Sequence, residues 1–151
     1  MKFYDLLYEK ALENGIEKIV VGGIVVNKDN DILILVRDKD DFMGGIHELP
    51  SGTLESGESI KDTLEREVKE ETNLEINRVI NYINSFDYLS GSGKKTRQFN
   101  FAVDVKNNDI KITEEHNGYS WQNINDCRDD NNITDEVKYT LEIYNFNLNL
   151  N

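Results

Sequence analysis

The stretch from Ser59 to Asn73, SIKDTLEREVKEETN, most constrains what this chain can fold into. Its spacing predicts a helix over 59–72. At about 100° per residue, Ile60, Leu64 and Val68 fall within about 80° of one another and form a stripe that must be buried. Glu71 lies inside that arc, Glu67 beside it and Glu70 at its margin. Lys61 sits at the edge of the stripe, and Asp62, Glu65, Arg66 and Lys69 lie on the far side, where solvent is expected. Burying the stripe therefore draws two carboxylates inward, one turn apart, with a third alongside. Like charges so placed raise one another's pKa and cost stability unless something neutralises them. An acidic helix is most often a solvated face, and that reading fits badly here. A hard divalent cation held by carboxylate oxygens is the simplest remedy. Magnesium binds in this way, through a few carboxylates and substrate phosphates.

The rest of the chain reads as a mixed α/β protein. With 151 residues it predicts a single domain, 1–151, of ordinary size. Residues 3–14 have a helical period and form an N-terminal helical extension within 1–18. Ile19 to Val26 is β-branched and nearly continuous, Asp29-Asn30-Asp31 is a turn, and Ile32 to Val36 returns, so the two runs predict a hairpin. Residues 38–47 read as a loop. Residues 76–89 alternate in part, through Val79, Tyr82, Phe86 and Tyr88, and read as a bent strand. Gly91-Ser92-Gly93 is a turn rather than a phosphate loop, since Tyr88 and Lys95 occupy two of the required motif positions. Phe99, Phe101 and Val103 share one face of a further strand, and Trp121 sits on a short one. Thr134-Asp135-Glu136 opens a last helix, with Val137, Leu141 and Tyr144 on one face.

Composition excludes several functions. There are 29 acidic and 17 basic residues, a net charge of -12, which disfavours nonspecific binding to nucleic acid or to an anionic membrane. The single cysteine, Cys127, rules out an intramolecular disulfide and suits a reducing compartment. The apolar run at Ile19 to Val26 is too short to span a bilayer, and the charged N-terminus does not read as a secretory signal. The expectation is a soluble cytoplasmic protein, with a homodimer left open.

The segment Gly52 to Leu74 resembles the signature of the Nudix hydrolases, G-x5-E-x7-R-E-U-x-E-E-x-G-U, where U is a bulky aliphatic residue. Gly52, Glu58, Arg66, Glu67, Val68, Glu70, Glu71 and Leu74 stand at the required spacing, eight of nine fixed positions over 23 residues. The departure is Asn73, where the signature has glycine. A helix end there wants a left-handed backbone, and Asn is the best non-glycine substitute. Around the signature the resemblance runs more loosely from Ile19 to Trp121, with Ser51 where glycine is usual.

The resemblance implies an α/β/α sandwich around a mixed β-sheet, and Mg²⁺-dependent hydrolysis of a nucleoside diphosphate linked to another group, with Mn²⁺ as a substitute. It implies metal ligands at Glu67, Glu70, Glu71 and the main-chain carbonyl of Ser51. Arg66 pairs with Glu58 to orient the carboxylates. Glu70, Glu71, Arg66 and Glu115 are the candidate catalytic residues, with Glu115 the preferred general base over Glu114. Arg37 is a candidate contact for substrate phosphate. His47 and His116 have no helical partner at metal spacing and read as structural. Tyr82, Phe86, Tyr88 and Phe42 read first as core aromatics, with stacking on a base as the alternative. No proline follows Pro50, so the mark of ADP-ribose hydrolases is missing. The default substrate is a small-molecule nucleotide, a nucleoside triphosphate, including oxidised forms. ADP-ribose or a nucleotide sugar is the alternative, and a non-catalytic nucleotide-binding module is the rival of another class. An isomerase on the same fold would need a catalytic cysteine, and Cys127 lies outside any matching motif.

Overall fold

The computed structural model describes residues 2–150. Helix α1 (Phe3–Glu13) leads into β1 (Lys18–Val26) and β2 (Ile32–Arg37), the expected hairpin. Two short strands follow, β3 (His47–Glu48) and β4 (Ser51–Thr53), then α2 (Ile60–Thr72). Strands β5 (Ile76–Leu89) and β6 (Lys95–Val105) form the second hairpin. Strand β7 (His116–Gln122), α3 (Ile124–Asp129) and α4 (Asp135–Leu148) complete the chain. The sheet runs β3-β2-β1-β6-β5, with β4 added to β1 and β7 to β2. Among the strands of the described residues, only β1 and β6 pair in parallel. The sheet is therefore mixed, and helices cover both of its faces.

Each face carries its own apolar layer. On one side Val21, Val25, Phe99, Phe101 and Val103 pack with Ile60, Leu64 and Val68 of α2 and Ala11 of α1. On the other, Ile24, Ile34, Ala102 and Ile83 pack with Cys127 of α3 and Val137, Leu141 and Tyr144 of α4. Gly23 lets α2 approach closely, since a Cβ there would stand 3.3 Å from Val68 and 3.4 Å from Leu64.

The partial alternation of residues 76–89 has a clear cause. The β5–β6 register shifts after Ile76, Val79 and Tyr82. Each irregularity adds a residue to β5, so inward positions recur every third residue instead of every second. Ile76, Val79 and Tyr82 accordingly all face the α2 layer. No helix among the described residues is long and apolar enough to cross a membrane.

Candidate active site

Helix α2 starts on a reciprocal cap. Ser59 Oγ accepts from the Asp62 amide at 3.0 Å, and Asp62 Oδ2 accepts from the Ser59 amide at 3.1 Å. It ends at Asn73, whose φ of 68° is left-handed, as the sequence predicts. The Asn73 side chain adds something glycine lacks: Nδ2 donates to the Asp109 carbonyl at 2.9 Å. Between these ends the apolar stripe is buried, and Glu71 is buried with it.

The carboxylates line one cleft. Its walls are Glu55, Arg66, Glu67, Glu70, Glu71, Thr113, Glu114 and Glu115, around about 430 Å³. Four of the expected site residues of α2 and the loop acid Glu115 thus meet there. Glu115 is exposed on a tight turn before β7, its carbonyl accepting from the Asp38 amide at 2.9 Å.

The wheel places Arg66 toward solvent, and this needs correcting. Its long side chain folds back along α2 and is only 22% exposed. Nε and Nη2 donate to the two Glu58 oxygens at 2.6 and 2.8 Å, and Nη1 donates to Glu67 at 2.6 Å and Glu70 at 3.3 Å. These bonds to Arg66 pull the Glu58 carboxyl down to about 2. Burial pushes the Glu67 carboxyl up, and Arg66 partly opposes this.

Glu71 is the most strained charge. Burial pushes it up to about 9, against the pull of the Ser51 amide, which donates to Oε1 at 2.7 Å, and with a further push from Glu67, Glu48 and Glu115. Gly52 makes room for the partner carboxylate: a Cβ there would overlap the head of Glu67. Glu71, Glu115 and His116 also bring ligand atoms within 4.8 Å of one another. Buried, mutually repelling oxygens in a tailored cradle fit a hard divalent cation.

Three further residues meet beside the cleft: His116 and Glu48, which no sequence signal places there, and Arg37, the expected phosphate contact. His116, which sequence reasoning treats as structural, is buried at the start of β7, with Nε2 2.9 Å from Glu48 Oε2 and 3.8 Å from Glu71 Oε2. Since a carboxylate can only accept, Nε2 carries the proton, and the buried Nδ1 has no partner. Glu48 is held from the other side by Arg37, through Nε at 3.2 Å and Nη2 at 2.8 Å. The Arg37 guanidinium is thus engaged by a carboxylate; burial alone would lower its pKa, but Glu48 raises it. Strand pairing creates this trio: β2 sets Arg37 beside His116 of β7 and Leu35 beside Glu48 of β3. Such contacts leave no local pattern in the chain. His47 is structural, its Nδ1 2.6 Å from Asp130 Oδ2. Cys127 is buried, its thiol pushed up to about 11 by desolvation, and is inert.

A second cavity, about 420 Å³, opens on the α4 face of the sheet. Arg37, Glu48 and Ser51 border it, so it adjoins the acidic cleft across β3 and β4. Phe42, Phe86 and Tyr88 line it; Phe42 and Tyr88 are exposed, against the expectation of core aromatics, while Phe86 also packs on the α4-side core and Tyr82 packs against Phe99 and Phe101.

Residues 17–141 match the model of the NUDIX domain. An ADP-ribose pyrophosphatase of Methanocaldococcus jannaschii is 43% identical over 56 residues, 37% of this chain and 32% of that protein. An 8-oxo-dGTP diphosphatase of Proteus vulgaris is 33% identical over 57 residues, 38% of this chain and 51% of that protein. The matches thus span about a third and about half of these relatives' lengths. A MutT protein from Methanosarcina mazei Go1 superposes with a TM-score of 0.77 at 23% identity, covering 86% of this chain and 94% of that one, a likeness of fold. With its signature helix, its sheet and most of its length accounted for, the chain belongs to the Nudix family.

Proposed function

We propose that this protein is a Mg²⁺-dependent pyrophosphohydrolase that cleaves the diphosphate linkage of a nucleoside triphosphate. One observation carries the reading: Glu71 is buried beside the largely buried Glu67, and a bound cation would relieve the desolvation and repulsion that Arg66 and the Ser51 amide offset only in part. Glu67, Glu71 and the Ser51 carbonyl would hold Mg²⁺ (or Mn²⁺), with Glu70 at the exposed rim. When bound, the ion neutralises charge on the phosphates and on the leaving group. Arg66 holds Glu67 by a charged hydrogen bond and is itself fixed by Glu58. The Ser51 amide holds Glu71 from the opposite side, and His116 Nε2 stands 3.8 Å from it. Glu115 overhangs the cleft and takes the proton of the attacking water on its carboxylate. The nucleoside lies in the adjoining cavity, against Phe86 and Tyr88, and the Arg37 N–H groups used by neither Glu48 nor the Phe42 carbonyl are left for its phosphates.

The two relatives act on different nucleotides, so their names do not choose the substrate. ADP-ribose is the second candidate, favoured by the higher identity of the archaeal relative. A panel of nucleoside triphosphates, oxidised triphosphates, ADP-ribose and nucleotide sugars, with Mg²⁺ and product identification, decides. Release of pyrophosphate and a nucleoside monophosphate supports the triphosphate reading. Turnover of ADP-ribose alone replaces it, and binding with no turnover of any compound leaves a binding module.

A further inference from the structure

The floor of the second cavity holds a chain of carboxamides that the cleft chemistry does not use. Gln98 of β6 is almost buried, at 8% exposure, and lines the cavity. Its Nε2 donates to Asn100 Oδ1 at 2.9 Å. Asn100 is fully buried, and its Nδ2 donates to Asn84 Oδ1 of β5 at 3.1 Å. Amides in a sheet otherwise packed with Ile24, Ala102 and Ile83 cost stability, and here Gln98 and Asn100 are buried while the half-buried Asn84 behind them leaves Nδ2 unpartnered, so the series needs a reason.

The sheet is cut to receive them. Gly22 pairs with Asn100 on one side and Ser51 on the other. A Cβ at Gly22 would stand 2.6 Å from Asn100 Oδ1 and 2.8 Å from Gln98 Nε2. Phe86 is the β5 neighbour of Gln98, so an aromatic wall stands beside the amide. The bond to Asn100 uses Nε2 and leaves Oε1 for the cavity.

Resting on the nucleotide reading above, we infer that Gln98 reads the base, its carbonyl oxygen held by Asn100 and Asn84 to accept from an exocyclic amino group. The substrate class is then a nucleotide whose base carries an amino group where guanine, hypoxanthine and uracil carry a keto oxygen, that is, adenine or cytosine. A keto oxygen at the same place meets Oε1 lone pair to lone pair and leaves a buried acceptor unpaired. Sites built to hydrogen-bond a group reject analogues lacking it strongly.

Two base pairs isolate this exchange: adenine against hypoxanthine, and cytosine against uracil. AMP, IMP, CMP and UMP lack the diphosphate linkage and report binding apart from hydrolysis. They are titrated by calorimetry into the wild-type protein and into Gln98→Leu, and kcat/KM is measured for the four triphosphates. The expected result is that the wild type favours the amino member of at least one pair by about tenfold or more, and that Gln98→Leu shrinks this ratio to about threefold or less. Unchanged Mg²⁺ affinity in Gln98→Leu shows that the fold survives. A wild type that does not discriminate, or prefers the keto member, overturns the inference, as does a ratio that persists in Gln98→Leu. If no triphosphate is hydrolysed while the monophosphates follow the expected order, the base reading stands and the hydrolase reading falls. If hydrolysis proceeds with no amino preference, the opposite holds.

Discussion

The carboxylate of Glu67 occupies the space that a side chain on Gly52 would fill. Gly52 lies on β4, which is paired to β1, so the sheet edge itself shapes the seat of a residue on α2. Gly52→Ala should therefore act on the site before it acts on the fold, since Glu67 can swing away on a flexible stem. Mg²⁺ affinity and turnover should each fall by about tenfold or more, a common cost of disturbing the support of a metal ligand. The metal-free melting temperature should change little. Calorimetric Mg²⁺ titration and thermal melting check both halves.

Glu71 gives the metal-free protein an unusual pH dependence. Its folded-state pKa, about 9, lies above the ordinary carboxyl value of 4.5. Between those values the folded state holds a proton that the unfolded state has lost. Stability should then fall as pH rises from 4.5 toward 9. Saturating Mg²⁺ should release a proton on binding and flatten this slope. Glu71→Gln should flatten it without metal, stabilise the metal-free protein by about 1 kcal/mol or more by removing a desolvated charge, and slow turnover by orders of magnitude. Melting curves across pH, with and without Mg²⁺, read out all three.

Glu58 behaves in the opposite sense. Arg66 holds its pKa near 2, so its contribution is present above about 4.5 and is lost as pH falls through that range toward 2. Glu58→Gln should raise the pH midpoint of acid unfolding and loosen Arg66, weakening Mg²⁺ binding through Glu67. Acid titration followed by circular dichroism tests the first effect, and Mg²⁺ titration the second.

The fate of these residues shows what a sequence carries. Helix α2 was legible because its period, its Ser59 cap and its Asn73 end lie within a few residues of one another. The inward position of Glu71 followed from the same period. Arg66 was misplaced because a wheel locates a Cβ, while a guanidinium several bonds away can return to the carboxylates beside it. His116, Glu48 and Arg37 meet only through the pairing of β2 with β3 and β7, and Gln98 and Asn84 only through that of β5 with β6. Helix α3, six residues long, and strands β3 and β4 of two and three residues are too short to show a period.

Glu115 and the ligands of α2 should separate kinetically. Glu115→Gln should lower turnover by about 100-fold or more, in the range of a lost general base. It should leave Mg²⁺ affinity close to wild type. The defect should shrink as pH rises and hydroxide replaces the base. A rate profile over pH, beside a Mg²⁺ titration, checks this, and wild-type turnover would move the role to Glu114 or to α2.

Asn73 combines a left-handed backbone with a bond to the Asp109 carbonyl. Glycine relieves the first and loses the second, so Asn73→Gly should stay within about 1 kcal/mol of wild type. Asn73→Val should be destabilised by about 1 kcal/mol or more, since a β-branched residue resists that conformation. It should also slow catalysis, because Glu70 and Glu71 lie on the turn before it. Denaturant melts with matched assays compare the two.

The most direct test of the whole account is nucleotide hydrolysis by the wild type, stripped of metal and assayed with Mg²⁺ or with excess EDTA, beside Glu71→Gln. The account predicts turnover with Mg²⁺, none in EDTA, recovery when Mg²⁺ is restored, and a rate lower by orders of magnitude in the folded variant. Hydrolysis that continues undiminished in EDTA, or a Glu71→Gln protein as fast as the wild type, would contradict it.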